Sequence, residues 1–308
     1  MIWECNSKLA CECTGLSSLA AEEDLHNEKI SHINPTETSD DPEIPNTLKS
    51  AFARTCHGKA SQQEVLDLWL RIIELYSTLS LTNLFDRTYA LAGLSSRVSG
   101  QMDSAFLAGI WAADLPRSLL WSSWPRQVKR RKRLTPTFPT WSWMSQYDPD
   151  KSNSHVLFPE NSEEFIQDSR LQVHYSDSFC EWSDGNPFGG IVAGQLEVTA
   201  PVLPGNLALD EEAREEGTLA VCVGNLALGE AWFDCPTVDC VEGNQNILCL
   251  YPGTLGKNSV SGMDEEAYVL LLRPVQGSES YSRIGILFLN LEELHRFDHA
   301  EVRRVKII

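Results

Sequence analysis

Apolar side chains recur at three- and four-residue steps between Ser61 and Leu79, which is the period of one face of an α-helix. Glu64 follows Ser61 at the spacing of a capping box, a common signal at a helix start. The pattern therefore predicts a helix over Ser61–Leu79. Its apolar stripe contains Val65, Leu68, Trp69, Ile72, Leu75 and Tyr76.

Two further helices are predicted downstream of the first. One runs from about Thr82 to Val98, and Gly93 inside it is interpreted as a point of close packing against a neighbour. The other begins near Asp103, a residue type that caps helices, and Pro116 is expected to end or kink it. The apolar side chains of this third helix are Phe106, Leu107, Ile110 and Trp111.

The apolar period changes in the second half of the chain, where short apolar runs are separated by Gly, Pro and Asn. This punctuation favours an antiparallel sandwich or barrel over repeated βαβ units. The predicted fold class is α+β, with an N-terminal helical subdomain followed by a mainly antiparallel, sandwich- or barrel-like β subdomain. A short helix is predicted at Leu291–Phe297. The predicted strands are His155–Phe158, Leu171–Tyr175, Ile191–Ala200, Thr218–Val223, Leu226–Asp234, Asn246–Tyr251, Ala267–Arg273, Arg283–Leu289 and Val302–Ile308.

The segment Thr137–Asp148 lies between the two halves and carries two tryptophans, Trp141 and Trp143, just after Pro139. Residues i and i+2 of an extended chain face the same side, so the spacing predicts a strand that buries both indoles. Paired aromatic rings also line ligand grooves in some proteins. Burial in a core is the favoured interpretation, because the neighbouring helices are themselves rich in aromatic residues.

The first 60 residues are uneven in composition. Ile2–Cys5 and Leu9–Cys11 are predicted to form a short strand or hairpin, and a polar loop extends to about Asn46, where X-Pro pairs disfavour helix. The start at Trp3 is abrupt, so we expect the chain to begin within a domain. The predicted organisation is a remnant of a preceding domain plus a polar loop over 1–60, a helical subdomain over 61–135 and a β-rich subdomain over 136–308.

Charge and composition narrow the classes of function. A formal net charge of −18 argues against nucleic acid as the main partner, because phosphate binding needs positive surface. The chain start lacks the features of a signal peptide, and no apolar run approaches the roughly 18 to 20 residues of a membrane-spanning helix. Nine cysteines, an odd number without a regular framework, favour reduced thiols in the cytosol or nucleus.

Five consecutive basic residues, Lys129–Arg133, stand against this acidic background. The favoured interpretation is a solvated loop between a helix and the tryptophan segment. A nuclear-import signal, a contact for acidic lipid or nucleic acid, and an intramolecular contact with acidic loops are the alternatives. The predicted location is cytoplasmic, and this run makes the nucleus the alternative location.

Few patterns point to a chemical site. Asp86 with Arg87 fits either a catalytic acid with its partner or a structural ion pair or cap that fixes helix–loop geometry, and the second is favoured. No catalytic residue, metal site or cofactor is predicted. One set of residues has the ligand types of zinc but lacks the close pairs that structural zinc sites use, namely Cys5, Cys11 and Cys13 with His26 or His32.

Five short blocks follow one another between residues 81 and 143: Leu81-Thr82 with Asp86-Arg87 and Ala90–Leu94, Leu107–Trp111, Asp114–Pro116, Leu119–Trp121, and Pro139–Trp143. In this order and spacing they resemble the region that follows the HET domain in fungal heterokaryon-incompatibility (HET) domain proteins. Thr140 stands where the family's Pro-Ser-Trp-Ser-Trp element has its first serine, and Ile2–Cys5 is similar to the family's Trp-Glu-Cys segment. The residues that carry the resemblance, called the signature residues below, are Asp86, Arg87, Gly93, Gly109, Trp111, Pro116, Trp121, Trp141 and Trp143.

This resemblance implies a role in fungal non-self recognition, known as vegetative incompatibility, and in the associated cell death. It implies a non-enzymatic interaction or regulatory region whose β half presents variable loops to a protein partner, with the HET domain itself largely missing. Two other hypotheses stay open. One is an enzyme of unrecognised class with a cleft between the helical and β halves, and the other is a truncated product with no activity.

Overall fold

The N-terminal residues form the hairpin that the sequence predicts. In the computed structural model, β1 (Ile2–Cys5) pairs antiparallel with β2 (Lys8–Cys11). The predicted polar loop that extends to Asn46 lies outside the residues that the structure describes. Those residues are 2–5, 8–11, 48–79, 81, 83–124, 131–134, 137–149, 155–159, 165–208, 219–224, 226–239, 246–255 and 266–308.

Three helices lie in the N-terminal part of the described chain: α1 (Leu48–Cys56), α2 (Gln62–Ser77) and α3 (Arg87–Ser99). The predicted capping box is present at the start of α2. Ser61 Oγ accepts a hydrogen bond from Glu64 N at 3.2 Å, and the Glu64 carboxylate accepts one from Ser61 N at 2.7 Å. Most of the predicted stripe is buried, but Leu75 is 51% exposed. Helix α1 has no counterpart in the prediction.

The segment after α3 consists of tight turns, so the predicted third helix is wrong. β3 (Phe106–Leu107) and β4 (Ile110–Trp111) form a hairpin whose turn residues, Ala108 and Gly109, have positive φ angles of 45° and 94°. Short 3-10 turns at Ala112–Asp114 and Arg117–Leu119 follow. All four strand side chains are buried, so their apolar pattern reflects burial on both faces and not one helical stripe.

Most of the remaining described elements are strands, together with two short helices, α4 (Pro236–Asp239) and α5 (Leu291–Leu294). Each strand predicted between His155 and Ile308 is present, with ends shifted by a few residues. The strands are β5 (Ser122–Trp124), β6 (Lys132–Arg133), β7 (Gln146–Tyr147), β8 (His155–Leu157), β9 (Phe165–Gln167), β10 (Gln172–Val173), β11 (Phe179–Trp182), β12 (Ile191–Ala208), β13 (Leu219–Val223), β14 (Leu226–Phe233), β15 (Asn246–Leu255), β16 (Glu266–Pro274), β17 (Ser280–Asn290) and β18 (Glu301–Ile307).

Six of these strands close into a barrel through the long strand β12. This strand pairs with β13 near Asn206 and with β15 over Val202–Asn206, and the ring continues through β14, β17 and β16. Every pair in the ring is antiparallel. β9, β10, β11 and β18 extend the sheet outside the ring, and only the β17–β18 pair of this described sheet is parallel. The predicted α+β class with a mainly antiparallel β part is confirmed.

Two hydrophobic cores stabilise this arrangement. One fills the barrel and contains Val221, Phe233, Val269 and Leu287. The other packs α2, α3 and the turn segment against the outer face of the sheet, where Leu196, Val198 and Ile286 belong to the same cluster as Trp69 and Trp143. The helices therefore share a core with the strands, while the predicted boundaries at residues 60 and 135 stay predictions.

Candidate functional site

Arg87, the first residue of α3, joins that helix to the tryptophan segment. Its Nη1 group donates hydrogen bonds to Met144 O at 3.0 Å and to Gln146 O at 2.7 Å. Asp86 lies on the exposed side, where its Oδ1 accepts a hydrogen bond from Asn83 Nδ2 at 3.1 Å, and its side chain does not cap α3. Arg87 alone fixes the helix–loop geometry, through backbone carbonyl oxygens, and the predicted ion pair or cap between Asp86 and Arg87 is not formed.

Gly109 is the point where the β3–β4 hairpin meets the tryptophan segment. A Cβ atom on Gly109 would lie 2.6 Å from Trp143 Nε1 and 2.8 Å from Met144 Cε, which leaves no room for a side chain. The Gly109 carbonyl oxygen accepts hydrogen bonds from two indoles, Trp69 Nε1 at 3.0 Å and Trp143 Nε1 at 3.3 Å. Close backbone approach and positive φ both require glycine here.

Gly93 behaves differently from Gly109. It is exposed on α3, and among the described atoms nothing lies within 4 Å of the place where a Cβ would be. The interpretation of Gly93 as a close-packing position is therefore wrong.

Trp141 and Trp143 are 0% and 1% exposed, which confirms that they belong to a core. The predicted extended strand is wrong, because Trp141 lies in a turn and Trp143–Ser145 forms a 3-10 helix. Ser142 sets this geometry: its Oγ accepts from Met144 N at 3.1 Å and donates to Ala108 O at 2.6 Å. Both indoles are buried by a turn held by a serine and not by strand alternation.

The other aromatic signature residues pack against the same centre. The Trp111 ring lies 5.8 Å from that of Trp69 in an edge-to-face arrangement. Trp121 Nε1 donates a hydrogen bond to Trp141 O at 2.9 Å. Pro116 is buried, follows a cis peptide bond and precedes the 3-10 turn at Arg117–Leu119, so it neither ends nor kinks an α-helix.

A buried ion network connects this centre to the barrel. Arg283 of β17 pairs with Asp234 at 3.1 Å, and Arg133 of β6 pairs with Asp239 of α4 at 2.7 Å. Arg133 also donates to the Arg283 carbonyl oxygen at 2.7 Å, which links the two pairs. Arg283 donates in turn to the carbonyl oxygens of Leu119, at 2.8 Å, and of Trp121. The network therefore ties four separate segments of the chain together.

Burial lowers the pKa of Arg133, but the charges of Asp239 and Asp234 outweigh it and raise that pKa overall. For the other three charged groups of the network, burial sets the direction of the shift. It raises the pKa of Asp239 to about 6 and lowers the pKa of Arg283 to about 10, although each has an oppositely charged partner. The pKa of Asp234 is raised for the same reason, while the Arg283 and Arg133 guanidinium groups act in the opposite direction. Carboxyl groups with shifted pKa values in a cleft often belong to catalytic sites. Here both carboxyl groups lie inside a core, among the guanidinium groups with which they pair.

The basic run is not a solvated loop in its described part. Arg131 is 0% exposed and Arg133 belongs to the buried network, whereas Lys132 is exposed. The favoured interpretation is therefore wrong for the two arginines. Arg133 does make an intramolecular contact, but not the one predicted. Its partners are Asp234 and Asp239, not the acidic loops considered in the sequence analysis. Lys129 and Arg130 lie outside the described residues.

A second ion cluster holds the turn segment to α2. Arg117 Nε donates to Asp114 Oδ1 at 2.8 Å, and Arg117 Nη1 donates to Asp67 Oδ1 at 2.8 Å. Burial raises the pKa of Asp114 to about 6, with the Arg117 charge acting in the opposite direction. This cluster is structural, since each guanidinium edge is occupied by a carboxylate of the same chain.

Two small cavities lie beside the signature residues. One, of about 30 Å³, is lined by Ser77, Arg87, Trp143, Gln146, Tyr147, Asp148, His155 and Val156. The other, of about 20 Å³, shares Ser77, Arg87 and Trp143 and adds Tyr76, Leu79, Leu81 and Leu84. Both are far smaller than the ~300–1,000 Å³ of typical small-molecule sites.

No protein-family model, no curated protein and no solved structure matches this chain. The resemblance to the HET-domain proteins thus rests on the signature residues themselves. Five of them, Arg87, Gly109, Trp121, Trp141 and Trp143, come from four of the five blocks and lie around one packed centre.

Other chemical features of the described chain are few. No group of three or more His, Cys, Asp or Glu side chains is arranged to hold a metal among the described residues, and Cys13, His26 and His32 lie outside them. No helix in the described part is both long and apolar enough to cross a membrane. The cysteines with described side chains are free thiols: Cys56, Cys180, Cys222, Cys235 and Cys249.

The buried ion network is the part of this region that sequence reasoning missed. Its partners are more than 40 residues apart along the chain, so no local pattern joins them. One signal was present, because Asp234 and Arg283 each lie at or next to a predicted apolar strand, where a charge needs a partner.

Proposed function

We propose that the chain is a non-enzymatic interaction and regulatory region of a HET-type protein, with a role in fungal non-self recognition and the associated cell death. The observation that carries the proposal is the convergence of the signature blocks. Gly109 and Trp143 are in direct contact, and Arg87 and Trp121 each donate to a backbone carbonyl of the tryptophan segment, so these residues hold that segment in place together.

The same contacts favour a structural role for these residues over a catalytic role. A catalytic residue needs room for a substrate, and the two cavities beside them have volumes of about 30 and 20 Å³. In this proposal the core is a scaffold, and a protein partner binds elsewhere on the surface. Acidic net charge continues to argue against nucleic acid as that partner. We place the protein in the cytoplasm.

The competing proposal is an enzyme of unrecognised class with a cleft between the helical and β halves. Its best support is the raised pKa of Asp239, about 6, in a buried charged cluster. The two proposals differ in what they require of Asp239, since an enzyme loses turnover without this carboxyl and a scaffold loses only stability.

A strain-pairing experiment tests the first proposal. The gene is deleted from its fungal host, and the deletion and parent strains are fused with a panel of genetically distinct strains while dead fusion cells are counted with a vital dye. We expect deletion to suppress cell death in at least one pairing and the reintroduced full chain to restore it. Unchanged death in every pairing contradicts the proposed role.

A further inference from the structure

Arg87 differs from the other arginines that hold structural contacts in this region. Arg117, Arg133 and Arg283 each have a carboxylate within 3.1 Å. Arg87 has no carboxylate ion pair among the described residues, and its two hydrogen bonds both go to backbone carbonyl oxygens. Its positive charge is therefore the one among these four that the described chain leaves without an anion.

The bonds that Arg87 makes leave one edge of its guanidinium unused. Nη1 donates to both carbonyl oxygens, while Nε and Nη2 make no hydrogen bond within the described part of the chain. Nε and Nη2 form the side-on edge of a guanidinium, whose two parallel N–H groups match the two oxygens of a carboxylate.

Arg87 also borders open space. It lines both small cavities, together with Ser77 and Trp143, at the place where the end of α2 meets the start of α3. About 30 Å³ is enough for a carboxylate head group or two waters, and not for a large ligand. Burial already lowers the pKa of Arg87 to about 10, so the cation gains from an added anion.

The other groups in the cavity wall disfavour a doubly charged anion more than a singly charged one. Asp148 lies in the wall, and its charge also acts on Arg131, whose pKa it raises against the larger lowering effect of burial. Gln146 lies there too, and its Oε1 is a buried acceptor without a hydrogen-bond partner among the described residues. Both oppose a doubly charged phosphate more strongly than a singly charged carboxylate.

We propose that the Nε/Nη2 edge of Arg87 binds a carboxylate group that enters the cavity between α2, α3 and the tryptophan segment. The carboxylate belongs either to a free small organic acid or to the C-terminus of a peptide. The same recognition chemistry serves both sources. This inference depends on the geometry around Arg87 and not on the proposed function.

The test uses the wild-type chain and the NMR signal of its arginine side chains. The protein is labelled with ¹⁵N-arginine, and the Arg87 Nε–H signal is assigned by its loss in Arg87→Lys. Sodium acetate then replaces sodium chloride at constant ionic strength. In a second arm, a short peptide with a free C-terminus is compared with the same peptide as its C-terminal amide. Arg97, exposed on the same helix, is the internal control.

We expect a saturable shift of the Arg87 Nε–H signal with acetate or with the free-acid peptide, while the Arg97 signal stays unchanged. Saturation with acetate identifies a small acid as a sufficient ligand, and saturation with the peptide alone identifies a chain terminus. The proposal is overturned if the Arg87 signal is unchanged in both arms. It is equally overturned if Arg87 shifts linearly in parallel with Arg97, or if the peptide amide acts like the free acid.

Discussion

The guanidinium carbon of Arg283 lies 3.5 Å above the ring of Trp121, and both side chains are buried. The contact joins a barrel strand to a signature residue of the turn segment. It combines a cation–π interaction with hydrogen bonds to two backbone carbonyl oxygens and an ion pair to Asp234. Arg283 is thus the connection through which the barrel holds the tryptophan centre.

Replacing Arg283 should be among the most destabilising changes in the chain. Among the described residues, Arg283→Met leaves Asp234 with the more distant Arg133, at 3.6 Å, as its ion-pair partner, and it removes the Arg283 donor from two carbonyl oxygens. We expect a loss of about 3–5 kcal/mol in the free energy of unfolding, measured by urea denaturation. Arg283→Lys should also destabilise, because lysine has no planar fork to stack and bridge.

Arg304→Met is the matched control for this prediction. Arg304 also pairs with two carboxylates, those of Asp177 and Glu197, but its side chain is 51% exposed. Exposed pairs contribute far less than buried ones, because solvent screens their charges. An equal loss in the free energy of unfolding for Arg283→Met and Arg304→Met would show that the buried network stabilises the fold no more than an exposed ion pair does.

Trp143→Ala tests the core role of the second tryptophan. The substitution removes a fully buried indole, its hydrogen bond to Gly109 O and its edge-to-face contact with Tyr76 at 6.0 Å. We expect a cost of roughly 3–5 kcal/mol in urea denaturation and a smaller cost for Trp143→Phe. Wild-type stability in Trp143→Ala, with altered ligand binding, would instead identify a functional groove.

Asp114 should make the protein more stable in mildly acidic solution. Burial raises its pKa to about 6 from the ordinary 3.8, against the effect of Arg117. The folded state therefore binds the proton more tightly, so this stabilisation is complete below about pH 4 and is lost as the pH rises through about 6. A shift of about two units corresponds to at most roughly 3 kcal/mol. Urea denaturation at pH 5 and pH 7.5 measures the difference.

Asp114→Asn separates this effect from other titrations. The pKa of Asp239 is also raised, and the negative net charge of the protein also falls on acidification. The stability of the Asp114→Asn variant should therefore still depend on pH in part. We expect the gain between pH 7.5 and pH 5 to be smaller in Asp114→Asn than in the wild type. Identical pH dependence in the two proteins argues that Asp114 keeps an ordinary pKa.

The basic run should not direct the folded protein to the nucleus. Arg131 and Arg133 are buried, so an import receptor cannot read them in the folded state. A fluorescent fusion of the chain should have the same nuclear fraction with and without Lys129→Ala and Lys132→Ala. A clear fall in nuclear fluorescence in the double variant contradicts this prediction.

Local patterns predicted the elements whose signals are local. The Ser61–Glu64 capping box and the strands predicted from Ile191 onward depend on neighbours in the sequence, and the structure confirms them. The helix predicted over Phe106–Trp111 is wrong. Apolar residues that are adjacent or four apart fit a helix and a fully buried hairpin equally well. A signal was available in Gly109, where a tight turn interrupts the predicted helix.

For the tryptophan segment, the prediction of burial is confirmed, and the prediction of an extended strand is wrong. Two tryptophans two apart suit a strand, but the Ser142 hydroxyl between them accepts a hydrogen bond from Met144 N, two residues on, and the chain turns there. Short-range side-chain bonds of this kind compete with strand geometry and leave no period to recognise. The ion network was missed because its partners meet only in the folded chain.

The central claim is that the buried signature residues act by packing, and Gly109, which is packed, and Gly93, which is exposed, test it directly. Gly109→Ala forces a side chain into the Trp143 contact at a positive φ, whereas Gly93→Ala enters open space on a helix. Urea denaturation should show a loss of at least about 2 kcal/mol for Gly109→Ala. The same measurement should show a gain of up to about 1 kcal/mol for Gly93→Ala. A Gly109→Ala protein as stable as the wild type contradicts the claim.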